Sequence, residues 1–124
     1  MSDLSSAERE SGAVFAPRFD DKGLLSAIAI DSATREVLML AFMDAEALAK
    51  TRETGLAHFH SRSRGRLWMK GESSGHVLNV EEIRVDCDQD ALVLLVRPEG
   101  PACHTGETSC FYRRLDAGGL TRIA

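Results

Sequence analysis

The stretch "LLSAIAIDSATREVLMLAFM" (24–43) holds two apolar runs, 24–31 and 36–43, parted by the polar "SATR". Runs of this length around a polar break read as the two strands of a β-hairpin. The next segment, "DAEALAKTRETG" (44–55), changes character. Asp44 can cap a first turn, Ala and Leu favour helix, and Gly55 can end it. Beyond it come short pieces rich in aromatic and β-branched residues: "AHFHS" (57–61), "RLWMK" (66–70), "HVLNVEEIRVD" (76–86), "ALVLLVR" (91–97) and "CFYRRL" (110–115). Turn signals "RG", "SSG", "QD" and "PEGPA" separate them. The pattern predicts a mainly β domain with one or two helices, arranged as an antiparallel meander, pseudo-barrel or sandwich. A length of 124 residues suits one core, placed at 15–124, after a polar segment 1–14 expected to be disordered.

Composition excludes several classes of function. A net charge of −4 argues against a general nucleic-acid binder. The N-terminus "MSDLSSAERESGA" has no apolar core for a signal peptide, and no later run is long enough to span a membrane, so a cytoplasmic location is expected. There the cysteines Cys87, Cys103 and Cys110 stay reduced, and an odd count suits no disulfide framework.

Two clusters invite metal chemistry. In "VDCDQD" (85–90), Asp86, Asp88 and Asp90 recur at alternate positions around Cys87. If a strand continues through them, all three carboxylates face one way, a repulsive arrangement unless a hard cation such as Mg²⁺ neutralises it. A solvated acidic turn is the plain alternative. An EF-hand is excluded, because Ala91 and Arg97 stand where its Gly and Glu belong. The cysteines lack a Cys-x-x-Cys knuckle; three soft ligands are the count of a catalytic zinc, whereas three inert core thiols are the bland reading. Cys103 and Cys110 lie in the polar loop "GPACHTGETSCF" (100–111), which favours ligation. His104, next to Cys103, is a candidate proton shuttle. His58 and His60 share one face of an expected strand, as packed histidines or site residues.

The stretch "SRSRGRLWMKGESSGH" (61–76) adds anion chemistry. Arg62, Arg64 and Lys70 suit phosphate, and Ser73, Ser74 and Gly75 allow close approach of backbone N–H groups. Trp68 can stack on a base, and His76 closes the segment. A solvated basic face is the ordinary reading of such a strip.

Taken together, "HSRSRGRLWMKGESSGH", "RVDCDQDALVLLV" and "GPACHTGETSCFY" resemble the phosphoribosyl-AMP cyclohydrolase family of histidine biosynthesis, from about residue 20 to 115. The resemblance implies a β-rich pseudo-barrel forming one cyclohydrolase domain. It implies hydrolytic opening of the N1–C6 bond of 1-(5-phosphoribosyl)-AMP by a zinc-activated water. It implies zinc on Cys87, Cys103 and Cys110, Mg²⁺ on Asp86, Asp88 and Asp90, and a homodimer whose zinc site draws on both subunits. His104 would then take the water's proton, and Arg62, Arg64, Trp68, Lys70, Ser73, Ser74, Gly75 and His76 would bind the nucleotide. Leu78 stands where the family motif has Gln, which removes a hydrogen-bonding group near the expected nucleotide site. A second, pyrophosphohydrolase domain found in many relatives is not expected here. Competing functions are a zinc-dependent nucleotide deaminase or hydrolase, and a zinc-stapled binding module that is not an enzyme.

Overall fold

In the computed structural model, residues 4–123 are described. The strands are β1 (Leu25–Asp31), β2 (Val37–Met43), β3 (His58–Ser61), β4 (Arg66–Met69), β5 (Leu78–Val85), β6 (Ala91–Pro98), β7 (Arg113–Asp116) and β8 (Gly119–Arg122). Two helices accompany them, α1 (Ser6–Ser11) and α2 (Ala45–Thr54). The mainly β expectation therefore holds, with both helices present.

The hairpin of 24–43 forms as read: Leu25 pairs with Met43 and Ile28 with Leu40. Its turn is held by Asp31, whose Oδ1 accepts from the N–H groups of Ala33 and Thr34. Asp44 caps α2 by accepting from Ala47 N–H at 2.8 Å, and Gly55 ends it at φ 75°, as the local signals require.

The topology departs from an antiparallel meander. Six strands form one curled sheet in the order β4-β3-β2-β1-β6-β5. β1 and β6 run parallel at its centre, from Ser26↔Ala91 to Asp31↔Val96. β6 is an almost unbroken apolar run with neighbours on both sides, the composition of an internal parallel strand. The curl brings the far edge back towards the chain before β3. Leu56 bridges Asn79, Ala57 N–H donates to Leu78 O, and Val80 N–H donates to Gly55 O. These bonds give the sheet its barrel-like closure. Inside lie Leu25, Leu38, Met43, Phe59, Leu78, Leu92, Leu94 and Val96, each under 2% exposed. A bulge between Val80 and Glu82 switches which residues of β5 face inward.

Two further segments complete the fold. Within 1–14, the described residues from Leu4 onward include α1, closed by a capping box between Ser5 and Glu8; residues 1–3 lie outside the described residues. "CFYRRL" enters a strand only at Arg113, and its hairpin β7–β8 stands apart as a separate two-stranded sheet.

Candidate active site

A cleft of about 690 Å³ opens where the β3–β4 hairpin, the turn after β4 and the loop after β6 converge. Arg62 and Arg64 sit on the β3–β4 turn, which Gly65 closes at φ 64° by donating to Ser61 O. Both line the cleft, and so do Trp68 and Lys70. The Arg62 guanidinium lies 4.0 Å over the Phe42 ring, so one face of this cation rests on an apolar platform. Trp68 packs against buried Phe59 with ring centroids 5.3 Å apart and still faces the cleft. It belongs to both core and site.

The chain then folds back tightly over 71–77. Gly71 has φ 85°, and a Cβ there would stand 2.5 Å from the His76 carbonyl carbon. Ser73, Ser74 and His76 line the cleft, and Ser74 Oγ accepts from His76 N–H at 3.2 Å. Gly75 shapes this turn at φ 80° and is not among the cleft residues. The His76 ring packs over Gly100, where a Cβ would come within 2.6 Å of it. Leu78 is fully buried in the core, so the residue at the motif's Gln position points away from the cleft.

The histidines separate. His58 is buried, with Nδ1 2.8 Å from Leu56 O, and does not reach the cleft. His60 lines it. Its Nδ1 is buried without a well-aligned hydrogen bond, and lies 3.3 Å from Asp44 Oδ2. The contact is short but poorly aligned for a hydrogen bond. Asp44 therefore serves α2 with one oxygen and faces the cleft wall with the other. Sequence reasoning missed this role, and also Glu72, which lines the cleft and accepts from Met69 N–H at 2.7 Å. Glu72 follows the basic strip directly, and that adjacency was the available signal.

The thiols divide two and one. Cys103 is held in a tight loop, where its N–H donates to Glu107 O and its carbonyl accepts from Gly106 N–H. Cys110 N–H donates to Leu38 O, and buried Ser109 bonds Val37 O, which seats the loop against β2. The Thr105 hydroxyl donates to Cys103 Sγ at 3.0 Å; this bond, then the Thr105 backbone, lowers the Cys103 pKa. Cys110 is exposed as a residue, yet its sulphur sits among protein atoms. That burial, then the neighbouring Cys103, pushes its thiol up to about 11. Cys103 and His104 both line the cleft. Cys87 is elsewhere. It follows β5, in the turn leading to Ala91, which pairs with Ser26 at the start of β1. Cys110 is anchored on Leu38, next to Val37, which pairs with Ile30 near the end of β1. Three to four strand residues separate these points, about 10–13 Å at 3.3 Å per residue.

Asp86, Asp88 and Asp90 converge, though not by strand alternation. The strand stops at Val85 and a turn gathers the three carboxylates within 4.8 Å of one another. Asp86 Oδ1 accepts from the N–H groups of Asp90 and Ala91. Burial opposes the Asp86 charge, but its hydrogen bonds from Asp90, Ala91 and Asp88 prevail and lower its pKa. Asp90 takes the opposite shift: sharing hydrogen bonds first with Asp86 and then with Asp88 raises it to about 6. Three carboxylate oxygens gathered this closely are a donor set suited to a hard divalent cation.

A curled β-sheet bearing an arginine- and lysine-lined cleft beside paired thiols, with a carboxylate triad apart, defines a class: a small β-rich domain with a basic cleft. Comparison with known proteins makes the class specific. The phosphoribosyl-AMP cyclohydrolase family model matches residues 39–112. A phosphoribosyl-AMP cyclohydrolase of Erythrobacter litoralis (strain HTCC2594) is 62% identical over 99% of this chain and 98% of its own length. Those of Rhizorhabdus wittichii and Sphingopyxis alaskensis are 60% and 58% identical, each over 94% of both chains. The chain belongs to the phosphoribosyl-AMP cyclohydrolase family and is accordingly a hydrolase.

Proposed function

We propose that this protein hydrolyses the N1–C6 bond of 1-(5-phosphoribosyl)-AMP, a step of histidine biosynthesis carried out in the cytoplasm. The observation that carries the reading is the convergence of Arg62, Arg64, Lys70 and Trp68 with His104 and Cys103 on one cleft. Its volume of about 690 Å³ is in the range of small-molecule sites. Arginine offers phosphate a bidentate fork, lysine a point charge, and the indole a stacking face for the purine.

The thiols fit zinc. Cys103 and Cys110 face each other and would hold zinc together, whereas Cys87 of the same chain is anchored three to four strand residues away. A homodimer in which Cys87 comes from the second copy completes the set. Zinc held there supplies Lewis acidity that brings the pKa of water towards neutrality. His104, beside Cys103, takes the proton from the attacking water and returns it to N1 as the ring opens. The wall of Phe42, Trp68 and Pro101 keeps bulk water from the purine. We place Mg²⁺ on Asp86, Asp88 and Asp90.

Incubating the purified, reduced protein with phosphoribosyl-AMP, while following absorbance of the opened purine and free ammonia, tests the assignment. Ring opening without ammonia is expected. Ammonia release would instead identify a deaminase, and binding without turnover would identify a binding module.

A further inference from the structure

Within the acidic turn, Gln89 carries no charge, yet it is only 5% exposed while Asp86, Cys87 and Asp90 around it are exposed. Its backbone sits at φ 61°, a left-handed conformation disfavoured for a residue with a side chain. Such a conformation persists where surrounding contacts over-determine it, and here they can be enumerated. Gln89 Oε1 accepts from Ala16 N–H at 2.7 Å. Nε2 donates to Arg9 O at 3.1 Å and to Val14 O at 3.2 Å. The Gln89 carbonyl accepts from Arg18 N–H at 2.7 Å, and its own N–H donates to Asp86 O at 3.1 Å.

Both amide hydrogens and the carboxamide oxygen are thus committed to a segment more than seventy residues away in sequence. The only intra-turn bond made by Gln89 runs to Asp86. Asp88 and Asp90 are its immediate chain neighbours, so the directions in which all three carboxylates leave the backbone depend on how Gln89 is held. On one side of this residue lies the segment Arg9–Arg18, and on the other the carboxylate triad.

We infer that Gln89 is a positioning residue: it locks Arg9–Arg18 onto the Asp86–Asp90 turn and thereby sets the spacing of the three carboxylates for a divalent cation. The inference rests on the reading of the triad as a cation site. It makes the N-terminal segment part of that site's support. Partners of this kind, one layer behind the ligands, commonly govern metal affinity about 10–100-fold.

The test is calorimetric titration of Mg²⁺ into the zinc-loaded, full-length protein and two variants. Gln89→Gly relieves the left-handed strain but deletes the carboxamide. Ala16→Pro leaves the turn untouched and removes the N–H that Oε1 accepts. Both are expected to raise the Kd for Mg²⁺ by about 10-fold or more. A Kd within about twofold of the parent in either variant, whatever happens to Tm, reduces Gln89 to a turn former and overturns the inference. A parent protein that binds no Mg²⁺ instead removes the cation reading of the triad. A third measurement needs no variant. Coupling is reciprocal, so Mg²⁺ must slow hydrogen exchange at the Ala16 and Arg18 amides of the parent. Unchanged exchange on saturation with Mg²⁺ also overturns the inference.

Discussion

His104 stands beside Cys103 on the cleft wall, so under the proposed function its removal should separate metal binding from turnover. His104→Ala is expected to retain zinc while kcat falls by about 10²–10⁴-fold, the usual worth of general acid–base help. Full turnover in a zinc-loaded variant would take His104 out of the reaction. Asp90 yields a prediction about stability. Its carboxyl is raised to about 6 by Asp86 and Asp88, against an ordinary 3.8. Between those values the folded chain holds a proton that the unfolded chain has released. The stability contribution is therefore complete below the unfolded value and is lost as pH rises through the folded one. Without added divalent cation, the parent protein's Tm should decline relative to Asp90→Asn as pH rises from about 4 to 6. Parallel curves across that window would contradict the sharing of a proton in the triad.

At the scale of elements, α2 and the turn after β4 hold the cleft walls. Asp44 starts α2 through Ala47 N–H and stands 3.3 Å from His60 Nδ1. Asp44→Ala should destabilise by about 1 kcal/mol through loss of the cap. Asp44→Ser can restore the cap but not the carboxylate facing His60. We expect its Tm to return towards the parent value while KM for phosphoribosyl-AMP stays raised; a KM that recovers together with Tm would confine Asp44 to the helix. Gly71 tests the fold-back turn. At φ 85°, with a Cβ 2.5 Å from backbone atoms of His76 and Val77, Gly71→Ala must displace main chain. A loss exceeding the ~1–2 kcal/mol of left-handed strain alone is expected in thermal denaturation. It should come with a higher KM, because Ser73, Ser74 and His76 ride on that turn.

For the whole molecule, the position of Cys87 offers a test of the proposed sharing of sites between two copies. Cys87→Ala and Cys103→Ala should each be inactive as pure proteins. Refolded together, mixed dimers hold one site with both lesions and one with neither. Equal mixing should then recover about a quarter of parent activity, as two-fold symmetry with a shared site requires. No recovery in verified mixed dimers would place all three thiols on one chain. The fold behind this prediction was only partly legible beforehand. The β1–β2 hairpin, the Asp44 cap and the Gly55 stop are encoded within a few residues of where they act, and could be read directly. So could the cleft's basic residues and the loop of Cys103 and Cys110, because each motif lies on one continuous stretch. Other features depend on partners far along the chain. The parallel pairing of Ser26 with Ala91 and the return of Leu56 to Asn79 leave no local trace. The bulge at Glu81, the burial of Leu78 and the hold of Gln89 on Ala16 are likewise set by what packs opposite. The amino-acid order alone therefore determined the family, the β1–β2 hairpin, the bounds of α2 and the chemical inventory, since propensity, capping and motif spacing are short-range properties. Tertiary structure alone decided which groups meet, because a curled sheet brings carboxylates together in a turn and holds Cys87 apart from Cys103 and Cys110. Those separations follow from strand register, and register is settled only when distant strands bury their apolar faces against each other.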